Sequence, residues 1–448
     1  MRPVFTHLYC VLAGGFLAGQ VHAARPVPEI IDEYVDAGLR TNLSLQATTL
    51  EVDRASATLD SARARFFPVL SLEGRYTRNE GGRLITLPIG PPDQQPSFAI
   101  TRPREQDTRL TLRQPLYAPA IPAAVRAQRA ALSGSEYARI ALARRLKRDI
   151  SVGYLGWLQA NKAIAIVESS RGLLQENLRV TESLFRNGKI TQDQVLRARA
   201  ELLAVEQQLR TAQNNEAQSH SYLNFLLNRK LDAALESAEP DAALAGARAD
   251  LETLRSAAIA QRPELQQSSE LTRAATAQVD IARAANKPTL SLGVDAGIQG
   301  ERYEFGRGRN FSTISLLLNW KLFDAGQRHA EVRAASASAR VASTRHDELA
   351  QQVQLEVQQA LDSLSLSIDS LATAEARAVA ARAGFHIASR KRDEGAISQV
   401  EFIDSRNALT AAELNLNVTH FELLARQAEL DYATASGKLP AAIGVLSP

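Results

Sequence analysis

The sequence predicts an α+β membrane protein made of two duplicated halves, each with a pair of β-strands and a long α-helical hairpin. Three observations support this fold class. Two stretches of the chain recur without a gap at a constant spacing, and four segments alternate between apolar and polar residues. Two very long segments keep an apolar residue at about every fourth position. Each predicted element follows from one of these patterns.

The first internal repeat predicts the helical hairpins. Residues Leu184–Leu209 align with Lys391–Leu416 at a constant shift of 207 residues, which places Gly188 opposite Gly395. Each copy is typical of a helix that ends in a turn at a glycine, followed by a threonine or serine N-cap and a second helix. The chain is therefore expected to contain two equivalent helical hairpins.

The second internal repeat predicts where helices give way to strands. Residues Thr41–Leu72 align with Gln261–Leu292 at a constant shift of 220 residues. Pro68 and Pro288 occupy the same place in the two copies. Proline ends a helix and favours an extended segment, so a strand is expected after each of them.

Four segments of about ten residues alternate with a period of two, which is typical of strands with one apolar and one polar face. Their apolar positions are Leu70, Leu72, Gly74 and Tyr76; Leu110, Leu112 and Leu116; Leu290, Leu292, Val294, Ala296 and Ile298; and Ile314, Leu316, Leu318, Trp320 and Leu322. A soluble β-sandwich would explain one such strand, but four strands in two matched pairs favour a lipid-facing barrel. Because four strands cannot close a barrel, the barrel must be shared between subunits.

The connections between these strands are predicted to be exposed loops. Residues 78–106 are rich in glycine and proline, and residues 299–310 contain Arg302, Arg307 and Arg309. The arginine and glycine residues of the second loop are consistent either with a phosphate-binding site or with an ordinary solvated loop.

A very long helix is expected after each strand pair. The first runs from about residue 123 to residue 185, which corresponds to roughly 90 Å of helix, and its counterpart runs from about residue 328 to residue 391. Between the halves lies an alanine-rich segment that Pro240 and Pro263 interrupt. It is expected to form small packing elements around the middle of the helices.

The first 23 residues are predicted to be an export signal, with Arg2, an apolar stretch and a small-residue cleavage site. The only cysteine, Cys10, lies inside this signal. The predicted organisation is a signal peptide (1–23), a first repeat (24–227), an inter-repeat segment (228–262), a second repeat (263–436) and a C-terminal tail (437–448).

Composition argues against several classes of function. The 52 lysine and arginine residues nearly balance the 49 aspartate and glutamate residues, so no nucleic-acid partner is expected. The seven histidines are scattered, and the chain has no zinc-protease motif, nucleophile elbow or phosphate loop. The sequence therefore predicts neither an enzyme nor a protein with a metal or cofactor.

The chain resembles the TolC-like outer-membrane efflux protein family. The resemblance is carried by Arg262-Pro263-Glu264-Leu265, by residues 320–326 (WKLFDAG), and by the two glycine tips with the helices that follow them. It implies a homotrimer in the cell outer membrane, with a shared 12-stranded barrel and a periplasmic tunnel of α-helical coiled-coil hairpins. Such proteins are exit ducts for an inner-membrane transporter and a periplasmic adaptor protein. The alternative is a periplasmic adaptor, which would instead place one hairpin between β-rich domains.

The resemblance also implies functional residues. The family carries acidic residues around its periplasmic aperture, and the matching positions are Glu401 and Asp404, whose spacing places them on one helix face. Ordinary solvated helix charges are the alternative reading. The first hairpin has Gln194 and Arg197 there, and Arg197 could pair with a carboxylate and help hold the aperture shut. The implied adaptor contacts are the tip residues Asn187, Gly188, Lys189, Glu394, Gly395 and Ala396.

Overall fold

The structure, a computed structural model, describes residues 25–81, 84–99, 103–238, 250–437 and 439. The predicted export signal with Cys10 lies outside the described residues, as do parts of the inter-repeat segment and of the C-terminal tail. Among the helices that are described, none carries an apolar stretch of the length needed to cross a membrane.

The described residues form helices and strands that recur in the same order in the two halves. The first half contains α1 (Val27–Thr41), α2 (Leu43–Ala64), β1 (Val69–Arg78), β2 (Leu84–Thr86), β3 (Ser97–Ala99), β4 (Arg104–Tyr117), α3 (Ala120–Arg186) and α4 (Gln192–Leu226). The second half contains α5 (Leu251–Gln261), α6 (Pro263–Ala284), β5 (Thr289–Gly300), β6 (Asn310–Asn319), α7 (Gln327–Asp393) and α8 (Gln399–Ala433).

The two hairpins dominate the molecule. Helices α3 and α7 have 67 residues each, which corresponds to about 100 Å, and their bounds agree with the sequence-based expectation. Helix α3 packs against its return helix α4 and also against α2, α6 and α8, while α7 packs against α8 and α6. In the N-terminal part of α3 the buried positions are Ala123, Ala127, Ala130, Gly134 and Ala143, whose small size allows helices to approach closely.

The four long strands form one antiparallel sheet in the order β1-β4-β5-β6. The pair β4–β5 joins the two halves, so β1 and β6 are the edge strands. The register confirms the predicted faces, because four apolar residues lie side by side across all four strands: Leu70, Leu112, Val294 and Ile314. The sheet therefore presents one continuous apolar face.

The opposite face of the sheet carries polar side chains that bond to one another. The Thr111 hydroxyl donates a hydrogen bond to the Asp295 carboxylate over 2.8 Å, and Arg113 lies 3.8 Å from the same carboxylate. Arg109 forms an ion pair with Asp107 on the same strand. This face is suited to water rather than to lipid.

The connection between β1 and β4 differs from the prediction, because it is not an irregular loop throughout. Strands β2 and β3 form a small antiparallel sheet in which Ile85 lies opposite Phe98. The β-branched and aromatic residues of these segments favour extended structure, although the surrounding glycines and prolines are typical of a loop. The composition of the whole segment concealed these two short strands.

In each half, one side chain at the joint between the short first helix and the next helix bonds to the last turn of the return helix. Asn42, between α1 and α2, accepts a hydrogen bond from the Leu45 amide and donates one to the Leu226 carbonyl over 2.9 Å. Arg262, between α5 and α6, donates to the Ala433 carbonyl over 3.2 Å. Asn42 and Arg262 are equivalent under the shift of 220 residues. An equivalent hydrogen bond therefore holds the return helix of each hairpin to the joint.

The second of these joints is a buried ionic network. Arg262 is 4% exposed and donates to Glu264 over 2.9 Å and to Glu356 over 3.0 Å, and its guanidinium lies 5.1 Å from the centre of the Tyr432 ring. Burial alone would lower the pKa of Arg262, but the two carboxylates outweigh burial and raise it. Arg262 therefore stays charged and links α5, α6, α7 and α8.

We expect the substitution Arg262→Gln to destabilise the protein by about 3 kcal/mol, because it leaves two partly buried carboxylates without their counter-charge. The midpoint of thermal unfolding, followed by circular dichroism in detergent, should fall. The control Arg54→Gln removes an exposed arginine of α2 and should leave the midpoint unchanged. Equal midpoints for the two variants would show that the Arg262 network does not stabilise the second half.

Candidate functional site

The turns at the ends of the two hairpins have the same backbone conformation. Gly188 lies between α3 and α4 with a φ of +67°, and Gly395 lies between α7 and α8 with a φ of +71°. These values belong to the left-handed region, where glycine carries no steric penalty. The repeat-based prediction of two equivalent glycine turns is confirmed.

Backbone hydrogen bonds explain why the turns are tight. The Gly188 amide donates to the Phe185 carbonyl and the Lys189 amide to the Leu184 carbonyl, over 2.9 and 3.0 Å. In the second hairpin the amides of Gly395 and Ala396 make the equivalent bonds, over 2.9 and 2.7 Å. This pattern satisfies the last carbonyls of each long helix.

The six predicted tip residues are brought to two exposed points. Asn187, Gly188 and Lys189 are exposed in the first hairpin, and residues 394–396 are exposed in the second. A β-carbon added at Gly188 or Gly395 would meet no other described atom within 4 Å. The tips are thus free of intramolecular packing and accessible to a partner.

The return helices begin differently, although the sequence predicts an N-cap for both. In α8 the Ser398 hydroxyl accepts a hydrogen bond from the Glu401 amide over 3.2 Å, and the Glu401 carboxylate accepts one from the Ser398 amide over 2.8 Å. This reciprocal pair is a capping box. In α4 the Thr191 hydroxyl bonds instead to the Asp193 carboxylate, and no side chain caps the helix.

Glu401, one of the two predicted aperture residues, is therefore fixed at the first turn of α8. Hydrogen bonds from the Ser398 amide and hydroxyl lower the pKa of the Glu401 carboxyl. The N-terminal end of a helix also favours a negative charge. The side chain is exposed, so it combines a structural role with a charge that points to solvent.

Asp404 and Arg197 remain exposed and isolated. Asp404 lies almost one turn after Glu401 on α8, and Arg197 lies on α4. Neither side chain forms an ion pair with another part of the chain that the structure describes. One turn further on, α4 and α8 lie side by side in the same chain, where the Asn407 amide donates to the Glu201 carboxylate over 3.4 Å.

Behind these exposed charges, the second tip is held by an aromatic and cationic cluster. The Phe402 ring is buried, with the Arg392 guanidinium 4.2 Å from its centre and the Phe385 ring centre at 5.7 Å. Burial lowers the pKa of Arg392. This cluster joins the end of α7 to the first turn of α8.

Arg406 is a residue near the tip that sequence reasoning missed. The repeat aligns it with Arg199, which is exposed and pairs with Glu182 over 3.1 Å. Arg406 is 1% exposed, and its two terminal nitrogens bond to no atom of the described residues. Burial lowers the pKa of Arg406, although Glu201 opposes this effect. The alignment gave no signal of this difference because the residue type is the same in both halves.

Comparison with known proteins agrees with this architecture. The sequence model of the family described as "Outer membrane efflux protein" matches residues 35–229 and 254–438, one range in each half. The chain is 21% identical over 417 residues to nodulation protein T of Rhizobium leguminosarum bv. trifolii, covering 92% of this chain and 87% of that protein. It is 24% identical over 423 residues to the toluene efflux pump outer membrane protein TtgF of Pseudomonas putida, covering 91% and 83%.

A solved structure shows the same fold. The CmeC outer membrane channel of Campylobacter jejuni superimposes with a TM-score of 0.79 at 16% identity, covering 96% of this chain and 94% of that one. The likeness spans the strands as well as both hairpins, which an adaptor with a single hairpin would not provide. The chain belongs to the outer membrane efflux protein family, and it is an outer-membrane efflux channel with a periplasmic extension.

Proposed function

We propose that three copies of this chain form the exit duct of a tripartite efflux or type I secretion system. The duct receives substrates from an inner-membrane transporter through a periplasmic adaptor protein and releases them outside the cell. The observation that carries this proposal is the four-stranded sheet, which has one apolar face and two edge strands without a partner in the described chain. Family membership supports the tripartite role.

The sheet edges require more than one copy. In lipid, each unpaired N–H or C=O group costs several kcal/mol, so β1 and β6 cannot remain open edges. Pairing β6 of one copy with β1 of the next continues the antiparallel order. Three copies then give twelve strands, an even number within the range of membrane barrels. The apolar face meets lipid, and the face with Thr111 and Asp295 lines the lumen.

The helices supply the rest of the duct. All four strand ends that connect to α2, α3, α6 and α7 lie at the same end of the sheet, because the strands are antiparallel and each half leaves and returns there. A helix of about 100 Å is several times longer than the hydrocarbon core of about 30 Å. The hairpins thus extend into the periplasm as a tunnel, with the glycine tips at its far end.

Charge on the two faces of β5 tests the barrel. We expect Leu292→Arg to reduce the yield of assembled trimer, because an arginine facing lipid near the midplane costs about 2–4 kcal/mol. Ser291→Arg places the same side chain one residue away, toward the lumen, and should assemble normally. Yields are measured by native mass spectrometry of the outer-membrane fraction. Similar yields for the two variants, or wild-type protein found only as monomer, would contradict the shared barrel.

The aperture residues fit a charged constriction at the tunnel end. Glu401 and Asp404 from three copies would bring six carboxylates together, and such a ring would attract multivalent cations more strongly than monovalent ones. The hydrogen bonds from Ser398 support this proposal because they hold the Glu401 carboxylate in its charged form. Arg197 then pairs with one of these carboxylates and helps to hold the aperture shut.

We expect trivalent cations on the periplasmic side to block conductance in planar bilayers, and the double variant Glu401→Gln/Asp404→Asn to remove the block. Glutamine preserves the capping box, so the fold should be unaffected. A depressed pKa means that Glu401 stays charged above the usual glutamate value of 4.5 and is neutralised only below it. The block should therefore be present near neutral pH and weaken as the pH falls and Glu401 is neutralised.

The control for the aperture is the variant Glu51→Gln/Asp60→Asn, which removes two exposed carboxylates of α2. It should keep the full cation block. A block that survives in the aperture variant as it does in the control would place Glu401 and Asp404 outside the conduction path.

The exposed tips are the proposed adaptor contacts. We expect Gly395→Val to abolish export with the partner adaptor while leaving trimers intact. The left-handed backbone costs a residue with a β-carbon about 1–2 kcal/mol, so the turn would change shape. Gly395→Asn is the control, since asparagine tolerates this conformation. Export is measured as substrate retention in cells, and loss of trimer in the valine variant would instead mark the tip as a folding element.

A further inference from the structure

The loop between β5 and β6, residues 301–309, folds back over the sheet instead of projecting from its end. Gln106 of β4 donates a side-chain hydrogen bond to the Arg302 carbonyl over 2.7 Å. The Tyr303 hydroxyl bonds to the Thr108 hydroxyl over 3.2 Å. Two contacts to the same strand therefore fix the direction in which the loop turns.

The strand register shows which face the loop covers. Gln106 and Thr108 are in step with Leu110 and Leu112, so they belong to the apolar face. Ile298, the direct neighbour of Thr108 on this face, is 5% exposed, whereas Leu110 is 45% exposed. The loop thus lies on the side proposed to face lipid, at the end of the sheet remote from the helices.

Aromatic side chains of this rim are exposed in the part of the chain that the structure describes. Phe305 is 78% exposed, Tyr303 is also exposed, and Tyr76 is exposed on the same face of the sheet as Gln106. Exposed aromatic residues at the ends of membrane strands are typical of the level of the lipid headgroups. The rim is therefore placed at the outer boundary of the membrane.

Arginines outnumber carboxylates on this rim, with Arg78, Arg104, Arg302, Arg307 and Arg309 against Glu80, Glu301 and Glu304. Arg78 and Arg104 lie directly opposite each other in the register, and like charges in this position destabilise a sheet unless an anion compensates for them. Arg78 pairs with Glu80 over 3.1 Å, and Arg309 pairs with Glu304. Arg104, Arg302 and Arg307 are exposed, and none of these three forms an ion pair with a residue that the structure describes.

We propose that this basic aromatic rim binds the phosphorylated glycolipid of the outer leaflet, lipopolysaccharide. Arg104, Arg302 and Arg307 bind the phosphate groups of its lipid A part, because guanidinium and phosphate form paired, charge-assisted hydrogen bonds. Phe305 and Tyr303 lie among the acyl chains just below. This inference goes beyond the duct, and it rests on the proposed function only for the assignment of the lipid-facing side.

The direction of the loop favours a lipid over a second copy of the chain. A neighbouring copy would join the sheet at the edge strands β1 and β6. The loop leans instead toward β4, an inner strand, where lipid is the neighbour in the proposed assembly. An excess of arginine over carboxylate at this point complements a phosphorylated headgroup.

The test uses the purified full chain in phosphatidylcholine nanodiscs, titrated with lipid A that carries both phosphates. Bound lipid is counted by native mass spectrometry. The variant Arg302→Gln/Arg307→Gln should bind lipid A at least about tenfold more weakly, since each lost bond to phosphate is charge-assisted. The control Arg54→Gln/Arg75→Gln removes two exposed arginines from α2 and from the opposite face of β1, and should bind as the wild type does.

Two further lipids decide whether phosphate on a glycolipid is recognised. Lipid A without phosphates should bind at least about tenfold more weakly than intact lipid A. Phosphatidylglycerol should bind no better than lipid A without phosphates. Equal binding of dephosphorylated lipid A, or of phosphatidylglycerol, would overturn the assignment. The same spectra report the number of chains, so failure of the trimer is distinguished from failure of lipid binding. If Phe305→Ser changes that number and not the bound lipid, the loop is a subunit contact and the proposal is wrong.

Discussion

Each half of this chain depends on one hydrogen bond at its base, from the joint between two helices to the last turn of the return helix. Asn42 donates to the Leu226 carbonyl, and Arg262 donates to the Ala433 carbonyl. The hairpin extends about 50 Å beyond this joint, the length of its 35-residue return helix, so small rotations at the joint become larger displacements at the tip. Fixing the return helix to the helix that leads into the strands sets the direction of the whole hairpin.

The two joints are equivalent in sequence but differ in chemistry, and the difference connects the halves. The side-chain amide of Asn42 forms hydrogen bonds only with residues of its own half. Arg262 also binds Glu264 and Glu356, and the Tyr432 ring lies between it and Arg148 of α3, whose guanidinium is 4.7 Å from the ring centre. Because α3 belongs to the first half, the second joint fastens both halves together. The first half has Asn42 and Phe225 at the positions of Arg262 and Tyr432, so its joint lacks this ionic network.

The sequence predicted those parts of the fold that depend on periodicity. Alternation placed the four long strands and their faces, the spacing of apolar residues placed α3 and α7, and the repeat placed Gly188 and Gly395. Features that depend on contacts between distant residues were not predictable in this way. The β2–β3 pair, the pairing of β4 with β5 and the fold-back of residues 301–309 arise from such contacts.

The candidate site, like the fold, was only partly predictable from the sequence. Residue type and spacing identified Glu401 and Asp404 as exposed acids on one helix face, but not the reciprocal bonds between Glu401 and Ser398. Those bonds were readable in principle, since a serine followed three residues later by glutamate is a capping box signal. The burial of Arg406 could not be predicted from the repeat, because the aligned residue Arg199 is exposed. Burial is decided by the neighbouring helices and not by the residue itself.

Buried polar groups along the second hairpin differ in how completely they are hydrogen-bonded. At the base, Arg262 is buried with two carboxylates and a carbonyl as partners. Near the tip, Arg406 is buried without a bonded partner among the described residues, which costs more than an exposed arginine would. Local opening requires least free energy where packing is least satisfied. Arg406 is therefore a point of low local stability between two well-bonded regions, the joint at Arg262 and the turn held by the capping box and the Phe402 cluster.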